Sequence, residues 1–496
     1  MLKPTNTMKQ IRGIRGLLAL LAFVMGCNLQ AQEQTVADGD YVLALKCNDA
    51  WYAVGKTTGS SSGSLNAVSI EVENWIVVSK NNIATWSVSL NEASYYNIGC
   101  EGKYLHASTT STKTNLKLAT GKDYDYARWQ FTMQENGSYK ITSKSLPEYS
   151  LGYSSSGKYF KNFTSTNVGY YYDFYLLPLC KQDANTGAYT LQGTGWTAES
   201  FANLDLSAAT SVDLRGITLP ENLTAPANCN PNCLFYVKEG ETKAGSLPQV
   251  VQVNAEGTAG TAESIQLTDG YDFHTTIPFT ATDITYTRHL YDGWSTLALP
   301  FAYNLQGETC EAFAEATTES VRFTPVSEVL EANTPYLIHR ETEGNVAFRA
   351  SNADVPVTAS TGDCFKSNFH TFTMANSETL YKLSSDGTTF NHSSGSARIG
   401  AFRAYLDLSG TQSGGAAPKR VVHESAETPT ALASAAACEA TYADGVLCIR
   451  SEQAGELPLY RADGTLERML QVQVGTNHYT LARPGIYLVG GLKIIY

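Results

Sequence analysis

The hydrophobic residues of this chain fall in short alternating runs, not at the 3.6-residue spacing of amphipathic helices. Examples are the segments ATWSVSL, ARWQFTM and YDFYLLP, in which Trp86, Trp129 and Phe174 open the run. The runs are separated by stretches rich in Ser, Thr, Gly and Asn, which favour turns. This pattern is typical of short strands and predicts an all-β protein.

The composition agrees with this pattern and adds a prediction about size. The chain has 496 residues, of which 43% are hydrophobic and 17% charged, with 40 Gly and 29 Tyr. Tyr and Thr favour strands, and the low charged fraction is poor in the residues that build long helices. A chain of this length exceeds one hydrophobic core, so we expect several domains.

Residues 38–181 contain three copies of one unit. Trp86, Trp129 and Phe174 are 43 and 45 residues apart, and each opens an alternating run. A second aromatic position is also repeated, at Tyr41, Tyr96 and Tyr139. One unit of this size cannot bury its apolar face alone, whereas three can do so around a pseudo-threefold axis. The repeat therefore predicts an N-terminal β-trefoil.

The repeated segment resembles the ricin-B-type lectin family. That family carries Gln-x-Trp in the last strand of each repeat, and here the Trp is kept in two copies and the Gln in none. The resemblance implies a trefoil that binds carbohydrate. Because the motif is incomplete, we interpret the stretch DYARWQF as core, with Trp129 packing the repeat.

Candidate sugar-binding residues lie elsewhere in each repeat. A lectin pocket pairs an acid, which hydrogen-bonds hydroxyl groups, with an aromatic face for the apolar side of the sugar ring. Three segments, CNDAWY, CEGKYLHAS and PEYSLGY, offer such combinations. The predicted carbohydrate-binding residues are Asp49, Trp51, Glu101, His106, Glu148 and Tyr153. Ordinary hairpin turns with a neighbouring strand aromatic have the same appearance.

Two further modules follow the trefoil. Residues 182–270 place leucines at a leucine-rich-like spacing and are interpreted as a short β-rich linker module. Residues 271–425 contain strand candidates such as GWSTLALPF and TPYLIHR and resemble a β-sandwich module of secreted and surface proteins of the Bacteroidetes. Its histidines have no common spacing, and no phosphate loop or HExxH motif occurs. We therefore expect no catalytic residue, no metal and no cofactor.

The C-terminal part begins with a linker at 426–437, rich in Ala, Thr and Ser. Residues 438–496 then alternate around two Asp-Gly turns, ADGV and RADGT, which are strong hairpin signals. With LYRADGTL, GIYLV and the closing LKIIY, this tail resembles the sorting domain of type IX secretion cargo. The resemblance implies export and attachment at the outer membrane.

The N-terminus predicts a targeting segment at 1–31. Basic residues precede the apolar stretch LLALLAFVM, which is too short to span a bilayer. Cleavage after Ala31 is favoured, and a lipid on Cys27 is the alternative because VMGC resembles a lipobox. Cleavage would change the net charge from −12 to −16. An acidic chain disfavours nucleic acid and anionic lipid as partners, and no other segment predicts a transmembrane span.

Nine cysteines remain after that cleavage, an odd number in a compartment that permits disulfides. Cys438 and Cys448 flank a predicted hairpin, and a bridge between them is expected. Cys229 and Cys233, in the segment CNPNC, could form a tight disulfide or half of a metal site.

Three functions follow from this sequence. The first is an exported, non-catalytic surface protein whose trefoil binds glycans or cell-surface glycoproteins. The second is an adhesive or structural surface protein that contacts other proteins and has no small-molecule ligand. The third is a polymer-degrading hydrolase with the trefoil as its targeting module, which would need two carboxylates facing each other across a cleft.

Overall fold

The computed structural model describes residues 35–108, 114–164, 169–411, 413–415, 417–423, 438–443, 446–461, 465–481, 486–489 and 492–495. The predicted signal peptide and the predicted linker at 426–437 lie outside these residues. Almost all regular structure in the described part is β, as the alternating pattern predicts. None of its helices is long and apolar enough to cross a membrane.

The N-terminal strands form a closed barrel with three hairpins over one end. The strands are β1 (Gly39–Cys47), β2 (Ala50–Thr58), β3 (Leu65–Glu73), β4 (Ile76–Ser79), β5 (Trp86–Glu92), β6 (Tyr95–Cys100), β7 (Lys103–Ala107), β8 (Leu116–Ala119), β9 (Arg128–Met133), β10 (Tyr139–Ser143), β11 (Leu146–Ser154), β12 (Tyr159–Thr164), β13 (Tyr170–Tyr171) and β14 (Phe174–Leu177), with a 3-10 turn at Asp125–Ala127. Antiparallel pairing runs β1–β5–β6–β9–β10–β14 and returns to β1. The hairpins are β2–β3, β7–β8 and β11–β12. A six-stranded barrel with three hairpins is a β-trefoil.

The same aromatic pair closes each of the three repeats. On neighbouring strands of the barrel, the paired residues are Tyr41 and Trp86, Tyr96 and Trp129, and Tyr139 and Phe174. Trp86, Trp129 and Phe174 are fully buried, so the predicted core role of Trp129 is confirmed. Each indole nitrogen donates to a hairpin carbonyl, from Trp86 to Val54 at 2.9 Å and from Trp129 to Leu105 at 2.8 Å.

A parallel sheet follows the trefoil. It contains β15 (Leu179–Gln182), β16 (Ala188–Gln192), β17 (Ser211–Asp213), β18 (Leu234–Lys238) and β19 (Val250–Val253), with one short helix, α1 (Ala198–Ala202). Strands β16 to β19 pair in parallel, each with the next. The leucines of the predicted leucine-rich spacing are all buried beneath it, namely Leu204, Leu206, Leu214, Leu219 and Leu223.

One hairpin belongs to both the trefoil and the parallel sheet. The first half of β3 pairs with β2 in the trefoil, and its last residues, Glu71 to Glu73, pair with β4. Strand β4 then pairs in parallel with β15. Ile76 in β4 accordingly packs in the core of the parallel sheet, with Cys180 and Leu191. The two modules therefore share backbone hydrogen bonds.

The next module is a sandwich built on the same sheet. Its strands are β20 (Gly260–Thr268), β21 (Phe279–Leu290), β22 (Gly293–Ala298), β23 (Tyr303–Asn304), β24 (Thr309–Ala316), β25 (Ser320–Val326), β26 (Val329–Leu330), β27 (Pro335–Arg340), β28 (Gly344–Val355), β29 (Phe365–Asn368), β30 (Phe372–Thr373), β31 (Asn376–Leu383), β32 (Thr389–Ser394), β33 (Arg398–Ile399), β34 (Arg403–Asp407) and β35 (Lys419–His423). Strands β19, β20, β21 and β28 extend the parallel sheet past residue 270. They pack on the sheet β22-β27-β24-β25-β35-β32-β31-β34-β29 through one core.

The C-terminal strands form two small sheets around a separate core. They are β36 (Cys438–Ala443), β37 (Val446–Ser451), β38 (Gly455–Arg461), β39 (Leu466–Val472), β40 (Gly475–Thr480), β41 (Ile486–Val489) and β42 (Leu492–Ile495). One sheet is β36-β37-β40 and the other β39-β38-β41-β42, with residues such as Leu447 and Leu459 buried between them.

The structure differs from the expected bridge between Cys438 and Cys448. In the β36–β37 hairpin, Cys438 lies opposite Ser451, whereas Cys448 lies opposite Thr441. The thiol of Cys448 is free, and its Sγ lies 3.1 Å from Nδ1 of His478. The strand register therefore separates the two cysteines along the hairpin.

Candidate functional site

An open cleft of about 380 Å³ lies between the first two repeats of the trefoil. The first repeat contributes Asp40 from β1, Lys56 from β2 and residues of β5, and the second contributes the turn between β6 and β7. Small side chains form its floor, among them Ser87, Ser89 and Gly99. The cleft is therefore lined from two repeats and exists only because the barrel closes.

Glu101 is held in this cleft by a strained turn. Glu101 and Gly102 join β6 to β7 with φ of +51° and +73°, the left-handed conformations of a two-residue hairpin turn. A non-glycine residue there is uncommon and costs conformational energy. The Glu101 carboxylate pairs with the ammonium of Lys56, a residue of the other repeat. Both the turn and the ion pair therefore fix the position of the acid.

The aromatic face of the cleft belongs to Tyr104. Its ring is half-buried and lies beside Gly99, its cross-strand partner in β6. A Cβ at Gly99 would lie 3.3 Å from the ring, so a side chain there would crowd it. Glycine at this position leaves space for Tyr104 between the two strands.

The charges of the cleft are balanced and exposed to water. Asp40 and Glu101 provide carboxylates, Lys56 and Lys103 provide ammonium groups, and all four residues are exposed. The acids accept hydrogen bonds and the lysines donate them. This arrangement can bind a neutral, hydroxyl-rich molecule with one apolar face.

The corresponding boundary between the second and third repeats is occupied by an ion-pair network. Lys144 follows β10 as Glu101 follows β6, and its Nζ lies 3.0 Å from the carboxylate of Asp125 and also contacts Glu92. Arg128 contacts the same two acids, at 3.0 and 3.3 Å. The charged residues of the stretch DYARWQF are thus satisfied within the protein.

The six predicted sugar-binding residues form one pair in each of three segments, and the structure places them in different surroundings. Glu101 lines the cleft, whereas Asp49 and Glu148 are exposed elsewhere. His106 and Tyr153 are buried, with 2% and 1% of their surface exposed, and belong to the trefoil interior. Tyr153 stacks on Tyr52, with ring centroids 4.7 Å apart. An aromatic residue in a strand can pack in the barrel core or line a pocket, and His106 and Tyr153 pack in the interior.

Trp51 belongs to an aromatic cluster that the sequence analysis missed. Its ring lies 6.3 Å from that of Trp75 and 5.3 Å from that of Tyr175. Trp75 is 59% exposed, at the tip of the β3–β4 hairpin. Asn74 and Trp75 both have positive φ, +48° and +66°, which is strained for a bulky residue. The dipeptide Asn-Trp between two alternating runs was the available signal.

The environment of His106 favours the neutral form of its imidazole. Its Nε2 donates to the carbonyl of Gly121 at 2.5 Å, which leaves Nδ1 as the unprotonated nitrogen. Nδ1 is buried, and no hydrogen-bond partner reaches it from the described part of the chain. Burial lowers the pKa of His106 from 6.5, although the hydrogen bond to Gly121 opposes this. Protonation would place an uncompensated charge in the interior.

We expect the thermal stability of the trefoil to fall as the pH drops below about 6.5, the value at which His106 of the unfolded chain takes up a proton. The loss continues until the lower pKa of the folded state is reached. His106→Gln keeps a donor for Gly121 and should have a smaller decrease in melting temperature between about pH 7.5 and 5.5, a range chosen to cover the histidine titration. Equal pH dependence in both proteins would contradict this assignment.

The rest of the described part of the chain offers weaker candidates for a ligand site. A groove of about 930 Å³ follows β19 and β20 and is lined by side chains such as Gln249, Gln252 and Gln266, with no aromatic face. No group of three His, Cys, Asp or Glu side chains among these residues could hold a metal ion. The cleft beside Tyr104 is therefore the best candidate for ligand binding.

Comparison with known structures gives partial similarities, and β-trefoil proteins are among them. The chain aligns with the designed threefold-symmetric protein ThreeFoil at 16% identity, over 28% of this chain and 97% of that one, with a TM-score of 0.22. The BEL β-trefoil is 13% identical over 28% of this chain and 96% of its own, with a TM-score of 0.21. A GlcNAcα1-4Gal-releasing endo-β-galactosidase from Clostridium perfringens is 12% identical over 28% of this chain, with a TM-score of 0.22. The alignment covers 32% of that enzyme, so the chain spans about a third of its length. No protein-family model and no curated protein matches the chain.

The strand pairing itself defines the class. This chain is a multi-domain, all-β protein in which a β-trefoil precedes β-sandwich modules.

Proposed function

We propose that this protein is an exported, non-catalytic surface protein that binds carbohydrate through the cleft between the first two trefoil repeats. The observation that carries the proposal is the combination of Glu101, Lys56 and Tyr104 in one open cleft. Export rests on the predicted signal peptide at 1–31, and surface attachment on the sorting-like tail at 438–496.

The chemistry of the cleft suits a neutral sugar. Vicinal hydroxyl groups can donate to the carboxylates of Asp40 and Glu101 and accept from the ammonium groups of Lys56 and Lys103. The C–H face of a pyranose ring can pack on Tyr104, as apolar ligand faces do on aromatic side chains. Binding needs no cofactor, metal or covalent step.

Tyr104→Ala should weaken glycan binding by on the order of tenfold, which corresponds to about 1.4 kcal/mol. Glu101→Gln should also weaken it, because the amide both loses charge and leaves Lys56 unpaired. The full chain would be screened on a glycan array, and the affinities for the best ligand measured by calorimetry.

Tyr124→Ala is the matched control, since Tyr124 is 54% exposed at the other repeat boundary. Its affinity should equal that of the wild type. A folded wild-type chain that binds no glycan would refute the proposal, as would a Tyr104→Ala variant that binds as tightly as the control.

The alternative is an adhesive protein that contacts other proteins. The cluster of Trp51, Trp75 and Tyr175 favours it, because an exposed Trp backed by two aromatic rings is a common anchor in protein interfaces. A protein partner whose binding is lost in Trp75→Ala and kept in Tyr104→Ala would support this alternative.

A further inference from the structure

Strand β20 has a gap in its pairing on the side of β19. The two strands pair only through Gln252 with Thr261 and Val253 with Gly260, next to the turn that joins them. Farther from this turn, the first residues of β19 pair with β18 alone. Among the described strands, β20 otherwise pairs only with β21, on its opposite edge. The β20 backbone beyond Thr261 therefore has no strand partner on the side of β19.

Two side-chain amides take the place of a strand farther along this edge. The amide nitrogen of Gln249 donates to the carbonyl of Gln266, and the amide oxygen accepts from the backbone N–H of Gln266 at 2.9 Å. Asn232 binds Thr268 in the same way, donating to its carbonyl at 2.9 Å and accepting from its N–H at 2.7 Å. Each amide thus satisfies both backbone groups of one β20 residue, as a neighbouring strand would.

The position of Gln249 is fixed by its surroundings. The residue is buried, and its φ of +52° is a left-handed conformation that is uncommon and costly for a residue other than glycine. Its side-chain nitrogen also donates to the carbonyl of Pro231 at 3.0 Å. Pro231 lies between Cys229 and Cys233, whose thiols are both free. The side chain of Gln249 therefore ends the open edge at Gln266.

Between its paired end and its capped end, the edge of β20 opens into the groove of about 930 Å³. Four consecutive residues, 261–264, line this groove, although Ala262 is buried and Glu263 is exposed. Neighbouring residues of a strand point to opposite faces, so a groove that reaches all four follows the edge of the strand. The loop 241–248 and β19 contribute most of the remaining lining. The groove thus offers space beside an unpaired strand edge, which is a template for strand pairing.

The charge of the groove is negative. Of the described residues that line it, only Glu241 and Glu263 are charged. The lysine of the same loop, Lys243, pairs with Glu221 at 2.9 Å. The lining has no aromatic ring on which the apolar face of a sugar could pack. The groove therefore suits a ligand that combines positive charge with backbone donors and acceptors.

We propose that the groove binds a short basic segment of another protein, which adds to the open edge of β20 as an extended strand. The backbone N–H and C=O groups of the segment pair with the edge at 262–265, between the last β19 pair and Gln266. Its Lys or Arg side chains contact the carboxylates of Glu241 and Glu263. This inference does not depend on carbohydrate binding.

The test is fluorescence anisotropy of the full chain with a labelled hexapeptide of alternating lysine and threonine, in about 50 mM salt to limit screening. One control peptide has glutamate in place of lysine. A second control is the basic peptide with N-methylated backbone amides, which keeps the charge and loses the donors. Both controls should bind at least about tenfold more weakly. Absence of binding by the basic peptide would overturn the proposal, and equal binding by its N-methylated form would refute strand addition.

Charge variants of the protein locate the site. Glu263→Lys places a cation in the groove and should weaken binding of the basic peptide by at least about tenfold. Glu343→Lys is the matched control, because Glu343 is exposed in the turn between β27 and β28, outside the groove. It changes the net charge equally and should bind like the wild type. Equal weakening in both variants would refute the location.

Two further variants keep the result decisive. Glu263→Gln removes the charge without reversing it and should weaken binding by a smaller factor, so it replaces Glu263→Lys if that variant does not fold. Tyr104→Ala alters the proposed sugar cleft and should leave the affinity for the basic peptide unchanged. Loss of peptide binding in Tyr104→Ala would place the peptide in the trefoil and overturn the proposal.

Discussion

Replacing Trp129 with alanine should destabilise the trefoil by about 3–5 kcal/mol, the range for removing a buried Trp side chain. The ring is fully buried, and Trp129 pairs with Tyr96 on the neighbouring strand β6. Its loss leaves a cavity where two repeats meet and leaves the carbonyl of Leu105, the acceptor of the indole N–H, without that donor. Calorimetry of the full chain would measure the change as a lower melting temperature of the trefoil transition.

Two further substitutions serve as comparisons for Trp129→Ala. Trp129→Phe keeps a ring and removes the hydrogen bond, so it should cost about 1 kcal/mol from the bond and more from the smaller volume. Phenylalanine already occupies this position in the third repeat, at Phe174. Trp75→Ala removes an indole that is 59% exposed but contacts Trp51 and Tyr175, so it should cost no more than about 1.5 kcal/mol. A loss in Trp129→Ala no larger than in Trp75→Ala would contradict the core assignment.

Asp269→Ala should destabilise the sandwich by about 3 kcal/mol, because it leaves part-buried positive charge without its partner. Arg403 donates to both carboxylate oxygens of Asp269, at 2.9 and 2.8 Å, and the hydroxyl of Tyr286 donates to it at 2.8 Å. Burial would raise the pKa of Asp269, but Arg403 more than offsets this and lowers it. A second guanidinium, that of Arg288, is buried nearby, and its pKa is lowered to about 10 by burial and by Arg403.

The control for Asp269→Ala is Asp354→Ala. Asp354 is exposed on β28 and accepts a hydrogen bond from Thr280. Its replacement should lower the free energy of unfolding by less than about 0.5 kcal/mol. Replacing both partners, Asp269→Leu with Arg403→Met, should recover much of the lost stability, since apolar groups of similar size need no charge partner. Denaturant unfolding would compare the four proteins. If the double variant were as unstable as Asp269→Ala, lost packing or the charge that remains on Arg288, and not the charge of Arg403, would be the cause.

The fold was predictable because its signal repeats. The spacing of Trp86, Trp129 and Phe174 predicted the trefoil. In the structure these three residues pair with Tyr41, Tyr96 and Tyr139 on neighbouring barrel strands. Each repeat presents one aromatic residue to one shared core, so the pattern is local in sequence and periodic. The all-β class follows from the alternating runs for the same reason.

The cleft was predictable only in part, because its residues meet through the closure of the barrel. Glu101 was identified from its own repeat, but its partner Lys56 lies 45 residues away in another repeat. Tyr104 lies in the segment CEGKYLHAS that supplied Glu101, but His106, two residues later, was chosen from it for the site. The structure buries His106 and leaves Tyr104 at the cleft. Residues two apart in a strand face the same side, so the alternating pattern could not distinguish them.

The hairpin shared by the trefoil and the parallel sheet bears on how this trefoil could be moved between proteins. A trefoil cut out after residue 181 would keep β4 and β15 but lose β16, which pairs with β15. Ile76 and Cys180, now buried beneath the following strands, would become exposed beside an unpaired strand edge, an arrangement that promotes aggregation. The smallest transferable cassette therefore includes the parallel strands, and any gene exchange that transplants the trefoil would have to carry them with it.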